Sequence, residues 1–225
     1  MKCIVFSSLL LLCLPMSGQA QNNAVSLENG IVNLDYGYPR QLTPPGSRVE
    51  LDVPGFAPKN AEQETAEWCW AACIQAILRS RNVNVAQDQI VTLIKGNISL
   101  ESATADEINT FFIDGKWISK DWTNDPYTRA YSNHFSNEQW KEKFNQNFIL
   151  RHLGVLKSPA ILSFKRDDGS NHAMVAYKVA FEVGNSIISL SIFDPETGKQ
   201  EELAFDKLEE KISDIWMPYF MGRTF

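Results

Sequence analysis

One stretch of the chain concentrates residue types that can do thiol chemistry. Cys69 and Cys73 stand in the string Trp-Cys-Trp-Ala-Ala-Cys over residues 68–73. Cys69 falls at the first turn of a predicted helix, where unpaired backbone N–H groups and the helix dipole favour a thiolate over a thiol. The competing reading is that Cys69 is a small buried hydrophobe, as most free cysteines are. Gln63 stands six residues earlier, in a loop from which a side-chain amide can donate to an oxyanion formed beside the sulfur. His172 opens a later strand just after a polar turn, so its ring can face a cleft. Asp194 closes the next strand, and antiparallel neighbours bring those two ends together. A nucleophile, a base and an orienting carboxylate are thus available from separate parts of the chain, as acyl transfer through a thioester requires.

The remaining candidates are weaker. Cys73 follows Cys69 by one helical turn and reads as a packed core thiol, with a role as redox partner of Cys69 as the alternative. His134 and His152 are expected on polar or helix-end surfaces, and no Cys, Asp or Glu stands at metal-ligand spacing beside them. No metal is therefore expected there, and the thiol chemistry of Cys69 needs neither a metal nor an organic cofactor. Trp70 is expected in the core and Trp68 along the cleft. Residues 96–134, rich in Trp, Tyr and Asn, are expected to form substrate-contacting loops.

These residues need elements to hold them. The first helix is expected over residues 67–81, with Trp70, Cys73, Ile74, Ile77 and Leu78 forming one buried stripe. A second helix is predicted over residues 87–95, stopping at Gly96. A third begins at Thr104-Ala-Asp-Glu107 and a fourth at Ser136-Asn-Glu-Gln139, both in the form of a capping box. The fourth carries Trp140, Phe144 and Phe148 on one face and ends at Gly154. Beyond Pro159 the pattern changes to strands over residues 160–164, 173–181 and 187–193, separated by turns at 167–170 and 184–185. Residues 194–198 turn the chain again, followed by a short helix over 206–211 and an extended piece over 216–220. Helices first and antiparallel strands second predict an α+β fold.

Composition narrows the function class. The 225 residues include 21 Lys and Arg against 27 Asp and Glu, a net charge of −6, with no basic run able to track phosphates. Nucleic acid is accordingly not an expected partner. Residues 1–20 combine Lys2, an apolar run from Ile4 to Leu14 and the small residues Gly18 and Ala20, the pattern of a cleaved export signal. The apolar run, about a dozen residues, is short of the ~20 needed to span a bilayer, so no stable membrane insertion is expected after cleavage. Cleavage would leave Cys69 and Cys73 as the only cysteines, in an oxidising compartment, secreted or periplasmic. Residues 21–59 read as an N-terminal extension, a strap or a short inhibitory pro-segment, before a single domain over 60–225.

Gln63, the Cys69-Trp70 pair, His172-Ala173 and Asp194 together resemble a papain-like cysteine peptidase, in order and spacing from Val53 to Pro195. The string over residues 68–73 is most similar to the bacterial effector-type and bacteriocin-leader-type branches. The resemblance implies a two-lobed fold, with a helical lobe carrying the nucleophile Cys69 and an antiparallel β-sheet lobe carrying the base His172. It implies Gln63 in the oxyanion hole, Asp194 as orienter where papain itself has Asn, and a peptide or protein as substrate. The chain departs from papain in having Glu67-Trp68 where that family is Gly-rich. An acyltransferase or deamidase using the same triad, and a catalytically silent binding module, are the alternatives. Exported protein should begin at Gln21, which the intact mass of exported material reads directly; a mass retaining residues 1–20 would reject the cleavage site.

Overall fold

The computed structural model describes residues 25–28, 31–34, 44, 46–58, 61–115, 129–136, 139, 149–183 and 187–221. The expected signal segment 1–20 lies outside them, as do Trp140, Phe144 and Phe148. Among the described residues no helix is long and apolar enough to cross a membrane.

Three helices come first among the large elements. Helix α1, Cys69–Arg79, is shorter than the expected 67–81 and is buried all round from Trp70 to Leu78, Ala71, Ala72, Gln75 and Ala76 included. A helix enclosed on every side needs no polar face, and that is why the expected single stripe understates it. Helix α2, Gln87–Lys95, ends at Gly96 in the left-handed conformation with φ 80°, which glycine adopts without steric cost. Helix α3, Ala105–Asp114, starts with the capping box read from sequence: the Glu107 N–H donates to Thr104 Oγ1 at 3.3 Å and the Thr104 N–H to Glu107 Oε2 at 2.7 Å. Glu107 also pairs with Lys95 at 2.8 Å, joining α2 to α3.

The strands are β1 (Val25–Glu28), β2 (Ile31–Leu34), β3 (Arg48–Asp52), β4 (Arg129–Ser136), β5 (Ala160–Lys165), β6 (Asn171–Glu182), β7 (Ile187–Asp194), β8 (Lys199–Ala204) and β9 (Ile212–Met221). β1 and β2 form a two-stranded antiparallel sheet. The other seven form one antiparallel sheet in the order β4-β9-β5-β6-β7-β8, with β3 added to β6. The twelve residues of β6 are long enough to take β5 along Asn171–Ala176 and β3 along Lys178–Glu182 on the same edge. Part of the stretch 21–59 is therefore a strand of the main sheet.

Alternation along β5 sorts two cores: Ile161 packs with the helices, while Ala160 and Leu162 face the opposite layer. That second layer is closed by a π-helical segment, Leu150–Val155, and by the short helix α4, Phe205–Glu209. With both faces covered, β5 is buried over its first five residues, and its continuous apolar run follows from that position.

Several expected boundaries move. The loops expected over 96–134 contain α3 and strand β4, and Ser136 closes β4. Only Gln139 of the expected fourth helix before Ile149 is described, and its end is the π-helical segment. β8 occupies residues expected to follow a turn, and β9 extends well beyond 216–220 because β4 and β5 flank it on both sides. Gly154 lies against β3: a Cβ there would stand 2.4 Å from Leu51 Cδ1 in the closed second layer. Gly154→Ala should lower stability by about 1–3 kcal/mol by overpacking, measured by denaturant unfolding. The penalty should shrink in a Leu51→Ala background; an unchanged penalty would show that the two do not meet.

Candidate active site

Helix α1 begins without a side-chain cap and without an acidic residue in its first turn. The first N–H groups of a helix have no intrahelical acceptor, and Cys69 sits among them at the first helical position. Its side chain is partly accessible and lies near enough to His172 to act on that ring's electrostatics. His172, at the second residue of β6, turns its Nε2 to Asp194 Oδ1 at 2.7 Å. The strand register explains the meeting: Val175 is opposite Phe193, so the start of β6 lies beside the end of β7.

Asp194 is buried, and its carboxylate is held from three directions. Besides His172, the Glu196 N–H donates to Oδ1 at 2.9 Å and the Thr197 hydroxyl to Oδ2 at 2.9 Å. Burial alone would raise its pKa, but the His172 bond and these two donors bring it below the usual carboxylate value. For His172 burial pulls the other way. Desolvation lowers its pKa, yet the bonds to Asp194 and to Cys69, with the charges of both, prevail and hold it up at about 9. An imidazolium is thereby stabilised between a carboxylate and a sulfur.

Gln63 reaches the same corner by its backbone: its N–H donates to Pro195 O, one residue past Asp194, at 2.8 Å. Its Nε2 donates to Ala66 O at 3.2 Å, while its Oε1 is buried without a partner among the described residues. One amide hydrogen remains for another acceptor. The loop around Gln63 is clamped by a residue that sequence reading passed over. Gln87, at the first position of α2, donates to Glu62 O at 2.7 Å and accepts from the Glu64 N–H at 3.0 Å, bracketing Gln63 on both sides. Gln87 also donates to Gln75 Oε1 at 3.2 Å, and Gln75 in turn to Val85 O at 2.8 Å, both glutamines being buried. Gln75 inside an otherwise apolar helix run was the available signal, since a buried amide must find partners.

Other expectations change. Trp68 does not line an open cleft; it is buried, and its indole N–H donates to Ser99 O at 2.8 Å. Trp70 is in the core as expected. Cys73 is completely buried and free, and burial, with the nearby Cys69 and Asp194, raises its pKa well above the ordinary thiol value. His152 is not on a surface: the π-helical segment carries it into the sheet-side layer, where its ring bonds Pro159 O at 3.1 Å and desolvation lowers its pKa to about 4. His134 lies on β4, half-buried and bonded to Asp214.

The donor atoms of His172, Asp194 and Glu196 lie within 4.8 Å of one another and are the one cluster among the described residues that could hold a cation. Those of His172 and Asp194 are already joined, and Glu196 pairs with Arg166. A cation there would have to break both contacts.

Cys69, His172 and Asp194 are thus gathered at one corner of the fold. No protein-family model matches the chain, and no curated protein matches it. Solved structures with similarity include the peptidase domain of Streptococcus ComA, a bifunctional ABC transporter of a quorum-sensing pathway. It is 14% identical, with 70% of this chain and 95% of that one covered and a TM-score of 0.44. A double-glycine-motif protease from an AMS/PCAT transporter, solved with its leader peptide, is 14% identical over 76% and 98% of the two chains, with a TM-score of 0.44. A protein from Bacillus anthracis described as a C39-like peptidase is 11% identical over 79% and 100%, again with a TM-score of 0.44. These neighbours are C39 peptidase domains, and at such scores the functional reading rests on the site itself.

The His172 ring should titrate near pH 9 in NMR spectra of the folded protein, and Asp194→Asn should move the midpoint down. Because this value is raised from 6.5, the stability His172 contributes is complete below about pH 6.5 and is lost as pH rises through about 9. A midpoint near 6.5 that ignores Asp194→Asn would contradict the geometry.

Proposed function

We propose that the protein is an exported cysteine peptidase of the papain-like type, cleaving peptide bonds through Cys69, His172, Asp194 and Gln63. The observation that carries the reading is the His172–Asp194 bond at 2.7 Å with Cys69, at the uncapped start of α1, close enough to influence the same ring. In the first step the thiolate attacks the peptide carbonyl carbon and the carbonyl oxygen takes the negative charge. The Cys69 backbone N–H and the remaining amide hydrogen of Gln63 stabilise that oxyanion. His172 then gives its proton to the departing amine, the C–N bond breaks and a thioester remains. Water, deprotonated by His172, adds to the thioester and releases the carboxylic acid. Asp194 keeps Nε2 protonated and the ring aligned throughout.

The buried Asp194, with two backup donors that fix its position, supports a rigid orienter and predicts unequal penalties. Cys69→Ala and His172→Ala should nearly abolish cleavage of a peptide library, while Asp194→Ala retains partial activity. Gln63→Ala should lower kcat by roughly 10²–10³ with little change in KM. A loss of about 1 kcal/mol in stability with near-normal kcat would assign Gln63 to the Ala66 loop bond alone. Adding an amine acceptor separates the outcomes, since adducts in place of hydrolysed products would reassign the site to acyl transfer, and inert peptides would leave a binding module.

A further inference from the structure

The strand registers lead from the triad to a second polar cluster. Ala173, next to His172, is opposite Ser163 of β5, and Ser163 is opposite Asp214 of β9. Adjacent strands stand about 4.8 Å apart, which puts Asp214 roughly 10 Å from Ala173 along one row. Row partners share a face of the sheet. Ala173 and Trp216, two residues beyond Asp214, both belong to the core on the helix side, against which Cys69 also packs. The row therefore faces the layer that carries the nucleophile.

A β-bulge falls at this place, since Ser163 pairs with Asp214 but Phe164 with Ile212, leaving Ser213 as the extra residue. Bulges re-aim side chains, and the Ser213 hydroxyl donates to Ser163 Oγ at 2.9 Å. His134 Nε2 bonds Asp214 Oδ1 at 2.9 Å while its ring stacks on Trp216, with centroids 5.2 Å apart. The side chains of His134 and Asp214 keep 19% and 24% exposure, so solvent reaches both. Glu50, Glu107, Glu196 and Glu202 each have a Lys or Arg partner. Asp214 has only an imidazole among the described residues. A half-buried carboxylate beside hydroxyls, with no Lys or Arg partner among the described residues, suits an incoming cation.

We propose that Asp214, with His134, Ser163 and Ser213, forms a subsite for a lysine or arginine side chain of the substrate, within about two residues of the scissile bond. This rests on the peptidase reading. An extended peptide advances about 3.3 Å per residue, and a basic side chain adds enough length to bridge from the reacting carbonyl to Asp214. The chain's net charge of −6 favours approach of a cationic peptide.

The test is a set of internally quenched peptides in which each of three positions on either side of the cleaved bond carries Lys, Arg, Gln or Glu in turn. Assays run at pH 8, with competent sites counted by a thiol-directed label on Cys69. Wild type should prefer Lys or Arg over Gln at one position by about 10- to 100-fold in kcat/KM. Asp214→Asn should collapse that ratio, and Asp214→Glu should retain it. Cleavage without a basic preference, or a ratio unmoved by Asp214→Asn, overturns the subsite while leaving the peptidase reading standing. If Asp214→Asn yields no competent sites, Asp214→Glu together with Ser163→Ala decides, and a ratio unchanged in both overturns the subsite. Wild type that cleaves no peptide rejects the peptidase reading and the subsite with it.

Discussion

The bond between His172 and Asp194 places two ionisable groups out of water, and the surrounding structure compensates both. Desolvation costs several kcal/mol per ion, and a buried pair survives only when its geometry is good and its remaining lone pairs are filled. Asp194 meets that condition with a backbone N–H and a hydroxyl from the turn that follows it. For His172 the nearby Cys69 side chain also favours the charged ring. Deleting one partner would strand the other, at about 3–5 kcal/mol. The pair therefore couples the start of β6 to the end of β7 and both to α1, and the two apolar layers on either side of the sheet supply the stability against which this cost is set.

The coupling continues past Asp194 through polar groups that the apolar cores cannot supply. Pro195 O holds the Gln63 N–H, so the turn that orders the carboxylate also anchors the loop in front of Cys69. Gln87 holds the other sides of that loop and leans on Gln75 inside α1. Gly198, at φ 67°, completes the turn, and a Cβ there would stand 2.5 Å from Glu62 Oε1. The Glu62 side chain thus lies against the turn. Buried amides in a chain of this kind restrict the number of arrangements more than they add stability, because any slip leaves a donor or acceptor unpaired.

What could be read from the sequence was whatever depended on local chemistry. The Thr104 capping box, the stop at Gly96 and the run of β5 follow from short-range hydrogen bonding, glycine conformation and burial, and they appear where expected. The placement of His172 opposite Asp194 was also legible, because antiparallel neighbours join strand starts to strand ends. Strand β4 was not. Its residues Arg129–Ser136 mix Tyr, Ser, Asn and His, and they are strand because β9 offers a partner along their whole length, a long-range fact with no local signature. His152 misled for a related reason: a polar residue near the expected end of a helix reads as exposed until the π-helical segment rotates it inward. Gln87 was invisible as a clamp because a glutamine at a helix start resembles any solvated one.

Cys69 and Cys73 show how position converts one residue type into two chemistries. They are separated by a single turn of the same helix. Cys69 takes the helix end where N–H groups are unpaired and His172 is near. Cys73 lies in a completely enclosed layer, where the same charge would meet only apolar neighbours and the repulsion of Cys69 and Asp194, and it stays a thiol. The helix supplies the contrast because its axis runs from the solvent-facing corner into the core. A sulfur shifted by four residues therefore loses the dipole, the base and the solvent together.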